Sequence, residues 1–260
     1  MESLKKENGK IPDFIICGFQ KCGTSSLSQN LNQHPKIQIA RTDHKFAEVS
    51  SGKEFNFFSS EKIDVSTYYE GIEWYKSHFK KDGNIWGEVS PNYTTFTRDV
   101  LQNMKPHISD TKFIFSIRNP IYRSFSAYNH YIQLAEEGIK WGNWEPNKTF
   151  LFNLKNHPYS FISNYYEEIS LYIEAFGKNN IHILIQEQLD SNNFQNQYNN
   201  IFNFLKIEHH PINNQKIHAR NYSRSIYPKE KEYLYELLKD DVEKLFNLIG
   251  REIQAWSEFC

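Results

Sequence analysis

The chain is poor in cysteine: of 260 residues only Cys17, Cys22 and Cys260 carry a thiol, and they fall in no disulfide or zinc-ligand spacing. A disulfide-stapled scaffold is thereby excluded, and a reducing compartment fits. Long apolar runs are also missing. No stretch approaches the ~20 residues needed to cross a bilayer, and the charged start "MESLKKENGKIPDF" has no apolar signal core. The expectation is a cytoplasmic protein without a membrane segment. An excess of one charge sign is absent too, since 30 basic residues against 31 acidic ones leave a formal net charge of -1. No global positive field would draw a nucleic acid or a long sulfated glycan. Nor is there an internal repeat or a linker-like stretch. Residues 1–260 are therefore read as one domain, with 1–11 as a flexible N-terminal extension.

What is present is an alternation of short apolar runs and helical patterns. "DFIICGF", residues 13 to 19, reads as a buried parallel strand ending at glycine, and "SSLSQNLNQHP" after it as a short helix stopped by Pro35. "KFIFSIR", residues 112 to 118, reads as a second strand, followed by a helix from Pro120 that closes at Gly138. "NIHILIQ", residues 180 to 186, reads as a third, after an amphipathic helix capped by Gly177. The Asn/Gln-rich "LDSNNFQNQYNN" reads as a solvated loop leading into a helix, and the segment from Pro228 as one or two closing helices. Strands alternating with helices predict an α/β fold with a central parallel sheet, whose ligands bind outside the carboxyl ends of the strands.

The stretch "GFQKCGTSSL", Gly18 to Leu27, joins the first strand to the first helix. In a nucleotide-hydrolysing P-loop a lysine follows the second glycine directly. Here Thr24 stands in that place and Lys21 lies inside the loop. Backbone N–H groups of Cys22, Gly23, Thr24, Ser25 and Ser26 at a helix N-terminus, with three hydroxyls beside them, make an anion site. The second strand ends in Arg118, which binds no metal but grips a phosphate through paired hydrogen bonds. The pattern predicts phosphate binding by cation and hydroxyl, without a metal.

"GFQKCGTSSL" resembles the 5′-phosphosulfate loop, and "IFSIRNPIYRSFSAYNHY" the 3′-phosphate segment, of sulfotransferases that use 3′-phosphoadenosine 5′-phosphosulfate (PAPS). "KEFNFFSS", "YYEGIEWYKSHF" and "EVSPNY" resemble the corresponding stretches of heparan-sulfate-type and bacterial members, and "DDVEKLFNLIGREIQAW" their closing helix. The resemblance implies a P-loop-like sulfotransferase fold. It further implies that Arg118 and Ser126 hold the 3′-phosphate, and that Lys21 stabilises the departing adenosine 3′,5′-bisphosphate (PAP). The catalytic base would be Glu54, at the glutamate before the aromatic pair. Glu48 competes for that role, and His34 or His44 would serve in the manner of the other large sulfotransferase branch. Two departures stand out: Val89 replaces a lysine common in the family, and "HARNYSRSIYP" lacks a clean K-G-R sequence, with Arg220 and Arg224 as the candidates for closing on the nucleotide.

The expected reaction is sulfuryl transfer from PAPS to a hydroxyl or amine. Balanced charge favours a small-molecule acceptor, extending to natural products such as a cationic, saxitoxin-type alkaloid. A glycan sulfotransferase, a P-loop kinase and a nucleotide-binding protein without chemistry are the alternatives. His209 and His210 lack metal-ligand spacing, so no metal is expected. The pairs Glu136, Glu137 and Glu167, Glu168 read as solvated helix faces.

Overall fold

The computed structural model describes residues 9–42, 53–59, 67–139, 143–158, 161–214 and 224–260. Five strands form one parallel sheet: β1 Phe14–Gly18, β2 Ile37–Ile39, β3 Ile85–Val89, β4 Lys112–Ile117 and β5 Ile181–Ile185. Their spatial order is β2-β3-β1-β4-β5. β1 and β4 are covered on both faces, which is why they read as continuous apolar runs. β2 and β3 carried no such signal, β2 being three residues long and β3, "IWGEV", interrupted by glycine and glutamate. The glycine is a packing requirement. Gly87 pairs with Phe14, and a Cβ there would lie 2.3–2.5 Å from the Phe14 ring.

The helices are α1 Thr24–Leu31, α2 Ile72–Lys76, α3 Thr97–Met104, α4 Pro120–Glu136, α5 Phe150–Asn156, α6 Tyr165–Phe176, α7 Phe194–Leu205 and α8 Pro228–Ile249. Local chemistry sets their ends. Asn119 caps α4 by accepting from the N–H of Ile121 at 3.0 Å, and Pro120 occupies the first helical position, where no N–H is needed. Two readings are corrected. Most of the Asn/Gln-rich stretch is helical, because Phe194, Tyr198, Ile201 and Phe202 recur on one buried face of α7. Glu168 is largely covered beside Thr97, and burial lifts its carboxyl to about 7.

α1 and α7 cover one face of the sheet, where Phe14, Ile16, Ile114 and Leu184 meet Leu27, Leu31, Tyr198 and Phe202. α3, α6 and α8 cover the other, packing Val100, Met104, Ile169, Tyr172 and Leu245 against Ile15, Cys17, Phe113 and Phe115. A further cluster joins α4, α5 and α8 through Phe125, Phe150, Leu234 and Leu238, with Trp144 at its centre. After β1 the chain moves toward β2, whereas β4 leads to β5 on the opposite side. The strand order thus reverses between β1 and β4. Gly18 and Arg118 leave the sheet at that crevice, where open α/β sheets bind ligands.

Candidate active site

The loop between β1 and α1 is held from beneath. Phe19 N–H donates to Ser116 O at 2.7 Å, Ser116 Oγ donates to Cys22 O at 2.5 Å, and Gln186 Nε2 donates to Ser116 Oγ at 2.7 Å. From the side, Arg123 donates through Nε to Gln20 O at 3.0 Å. Gly23, at φ 74°, is the N-cap of α1, and a Cβ there would come within 2.6 Å of Gln186 Oε1. Lys21 also adopts a left-handed backbone, φ 65°, a conformation that non-glycine residues hold only when their surroundings impose it. The first helical bond runs from Leu27 N–H to Gly23 O. The N–H groups of Thr24, Ser25 and Ser26 therefore stand at the positive end of the helix, outside its hydrogen-bond ladder.

Cys22 departs from the expected donor set. Its N–H donates to Phe19 O at 3.1 Å, and its fully buried thiol lies 3.4 Å from Tyr165 Oη. Burial pushes that thiol up, so Cys22 is neither a reactive nucleophile nor an anion donor in this geometry. It shapes the loop instead.

Arg118, at the end of β4, extends Nη1 toward Lys21 O at 3.5 Å, while its own carbonyl accepts from Tyr165 Oη at 3.0 Å. Ser126 is buried on α4, two turns into the helix that begins beside Arg118. The start of α4 is held by Glu187, whose carboxylate accepts from Asn119 N–H at 2.8 Å and from Trp256 Nε1 at 3.1 Å. β5 and the C-terminal segment thus fix the strand-helix unit that carries both candidate 3′-phosphate residues.

The segment 53–59 crosses in front of this loop. Lys53 donates from Nζ to Ser25 Oγ at 2.9 Å. Glu54, the next residue, has its carboxyl pushed up by burial, with the Lys53 charge, a hydrogen bond from the Asn56 side chain and the Lys21 charge pulling it back down. Burial lowers the Lys53 ammonium, and Glu54 opposes that effect. The structure therefore gathers Lys21, Glu54 and Ser25, residues singled out from the sequence, and adds Lys53, which sequence reasoning missed. A lysine beside a glutamate reads as a solvated pair; its approach to Ser25 depends on a contact across 28 positions. Val89 does not reach the site, because its side chain packs in the core with Ile16 and Leu27.

Glu88 was also missed. It is fully buried at the end of β3, accepting from Tyr75 Oη at 2.6 Å, Tyr93 Oη at 3.0 Å and Ser90 Oγ at 3.1 Å. Desolvation lifts its carboxyl to about 7, against the pull of the three hydroxyls. An internal glutamate in a strand is the one signal that could have marked it.

Other candidates fall away from the site. Arg224 is corrected to a structural residue: its guanidinium forks onto Glu230 with two 2.8 Å bonds and stacks 4.3 Å from the Tyr227 ring. Its donors are committed to a buried carboxylate. His34 is buried, with Nε2 2.9 Å from Glu208 O and Nδ1 accepting from Lys36 N–H, a linking role rather than that of a base. Arg220, Glu48 and His44 lie outside the described residues. Among the described residues no group of three His, Cys, Asp or Glu side chains is arranged to hold a metal ion.

Residues 11–242 match the family described as the sulfotransferase domain. Among curated relatives, a membrane-associated sulfotransferase of Dictyostelium discoideum is 31% identical over 128 residues, covering 47% of this chain and 24% of that protein. The human heparan sulfate glucosamine 3-O-sulfotransferase 6 is 31% identical over 121 residues, covering 46% of this chain and 30% of that one. The chain thus matches only a quarter to a third of the length of these relatives. A sulfotransferase from Alicyclobacillus acidocaldarius has the same fold, with a TM-score of 0.71 over 95% of this chain and 99% of that one at 23% identity. From its matched residues and its fold, the chain belongs to the sulfotransferase domain family.

Proposed function

We propose that the protein is a PAPS-dependent sulfotransferase acting on a hydroxyl or amine of a small molecule. The observation that carries this reading is the convergence of Lys53, Ser25, Glu54 and the Lys21 charge at the N-terminus of α1. Sulfuryl transfer has little covalent chemistry for a protein to supply; positioning and electrostatics dominate. The N–H groups and hydroxyls of Thr24, Ser25 and Ser26 hold the 5′-phosphosulfate, and Arg118 with Ser126 the 3′-phosphate. Glu54 takes the proton from the acceptor as the new sulfur–oxygen or sulfur–nitrogen bond forms. As the sulfur–oxygen bond to PAP breaks, Lys21 offsets the charge growing on the leaving oxygen, and Lys53 supplies a second cation beside Ser25. None of these steps draws on a metal.

Balanced charge supports the small acceptor. A glycan acceptor is the second reading, favoured by likeness to a heparan sulfate glucosamine 3-O-sulfotransferase. The cytoplasmic placement is likewise a proposal, supported by three unpaired cysteines.

The test combines binding and turnover. Calorimetry with PAP, against ATP plus Mg²⁺, is expected to show binding of PAP alone; binding of ATP plus Mg²⁺ alone would sink the reading. Labelled PAPS with a panel of alkaloid, phenol, amine and glucosaminyl acceptors, read by mass spectrometry, then separates small-molecule from glycan transfer. Lys21→Ala is expected to cut turnover by ~10²–10³. PAP binding with no transfer to any acceptor would favour a non-catalytic nucleotide-binding protein.

A further inference from the structure

The groups around Glu88 have their hydrogen-bond directions imposed on them. Ser90 Oγ accepts from Asn56 N–H at 3.0 Å and Tyr93 Oη accepts from Phe58 N–H at 3.3 Å. A main-chain N–H can only donate, so each hydroxyl keeps its own proton to give. Both turn it to Glu88, as does Tyr75 from α2. Three hydroxyl protons therefore converge on the Glu88 carboxyl, two at Oε1 and one at Oε2. Glu88 is thus the sink of a buried knot whose outer bonds grip the main chain of Asn56 and Phe58, on the segment that carries Glu54.

Asn56 connects this knot to the reacting groups. It sits at φ 49°, left-handed, and is buried. Its Oδ1 accepts from Asn92 Nδ2 at 3.1 Å, and its side-chain amide is close enough to the Glu54 carboxyl to pull it down against the effect of burial. Asn92 Oδ1 in turn accepts from Gln20 Nε2, one residue before Lys21. A file of three amides therefore runs from the β1–α1 loop to Glu54, and the turn at Asn56 that aims it depends on the Ser90 hydroxyl.

We propose that Glu88 is the positioning residue for Glu54: through Ser90 and Tyr93 it holds Asn56 and Phe58 in the backbone geometry that directs the Asn56 amide onto the Glu54 carboxyl. Burial pushes the Glu88 carboxyl up to about 7, against the downward pull of the three hydroxyls. The titratable groups facing it are Tyr75 on α2, Tyr93 beyond β3 and Cys17 on β1, all pushed well above their ordinary values. Among the described residues of the knot, Glu88 alone changes charge between pH 5 and pH 8.

The inference rests on the role given to Glu54 in the proposed function, and the test keeps the two apart. Glu88→Gln puts an amide N–H against hydroxyls that already have protons to give; Ser90→Ala is a milder variant should the first fail to fold. Hydrogen exchange read by NMR on the intact chain is expected to speed at the Asn56 and Phe58 amides by at least tenfold in either variant, with β1 and β4 amides unchanged. For turnover, PAP affinity should stay within threefold of wild type and kcat should fall by ~10–100-fold, the range for a misplaced reacting group. The acid limb of the pH–rate profile should move to higher pH, because Glu54 loses its donor. Unchanged exchange at Asn56 and Phe58 would overturn the inference whether or not the protein proves to be a sulfotransferase. So would a kcat and an acid limb like those of wild type. Faster exchange at those amides in a protein that never binds PAP would uphold the knot and reject the proposed function.

Discussion

Replacing Arg224 by alanine distinguishes a structural clamp from a residue that closes over the donor. In the structure its guanidinium makes two 2.8 Å bonds to Glu230, which is 4% exposed, and it lies 5.0 Å from the Phe125 ring. Removing one partner of a buried pair leaves an uncompensated charge and costs ~3–5 kcal/mol. The Arg224 side chain is 26% exposed, and Glu230 retains the Tyr227 N–H at 2.9 Å, so the lower end applies, about 3 kcal/mol. For a chain of this length that predicts a fall in Tm of roughly 6–12 °C. Urea unfolding of Arg224→Ala, Glu230→Gln and the double variant measures the coupling directly. The double variant should be less destabilised than the sum of the two singles, because no orphaned carboxylate remains. PAP affinity measured on the same proteins should change by less than threefold. A tenfold loss of PAP affinity with stability unchanged would refute the reasoning and return Arg224 to the donor site.

Glu54 must be ionised to accept a proton, and burial raises its carboxyl, so kcat should climb with pH through a midpoint above 4.5 and then level. Glu54→Gln should abolish that limb while leaving PAP affinity intact; a limb at or below 4.5 would remove Glu54 as the base. For Glu88 the folded carboxyl titrates near 7 against 4.5 when unfolded, so between these values the unfolded chain binds fewer protons and stability falls as pH rises. The loss attributable to Glu88 by pH 8 is about 3 kcal/mol. It should appear as a difference between wild type and Glu88→Gln that changes from pH 4.5 to pH 8 in urea unfolding, whereas a pH-independent difference would contradict it. Gly87→Ala should lower stability by ~1–3 kcal/mol, because the added Cβ meets the Phe14 ring inside the β1–β3 pair; an unchanged urea midpoint would refute that account.

Much of the framework was legible because it is local chemistry. The runs "FIICG" and "KFIFSI" are apolar enough to declare strands buried on both faces, and Asn119-Pro120 announces the helix that follows. β2 and β3 were not legible: three residues have no period, and Gly87 and Glu88 are tolerated in a strand only because of what packs on them. Arg224 was illegible for a more local reason. Its partner Glu230 is only six positions on, but the two meet because the chain turns at Tyr227 into the helix that starts at Pro228.

The sequence by itself determined the class of fold and the loop with its lysine at position 21, since strand, glycine turn and the helix after it are each dictated by residues close together in the chain. Only the tertiary structure decided which charges meet there. Lys53 reaches Ser25 across 28 positions, and Tyr75, Ser90 and Tyr93 converge on Glu88. Hydrogen bonds and ion pairs depend on distance in space, and the order of the strands together with the bonds that hold segment 53–59 sets which distant segments share the crevice beyond β1 and β4.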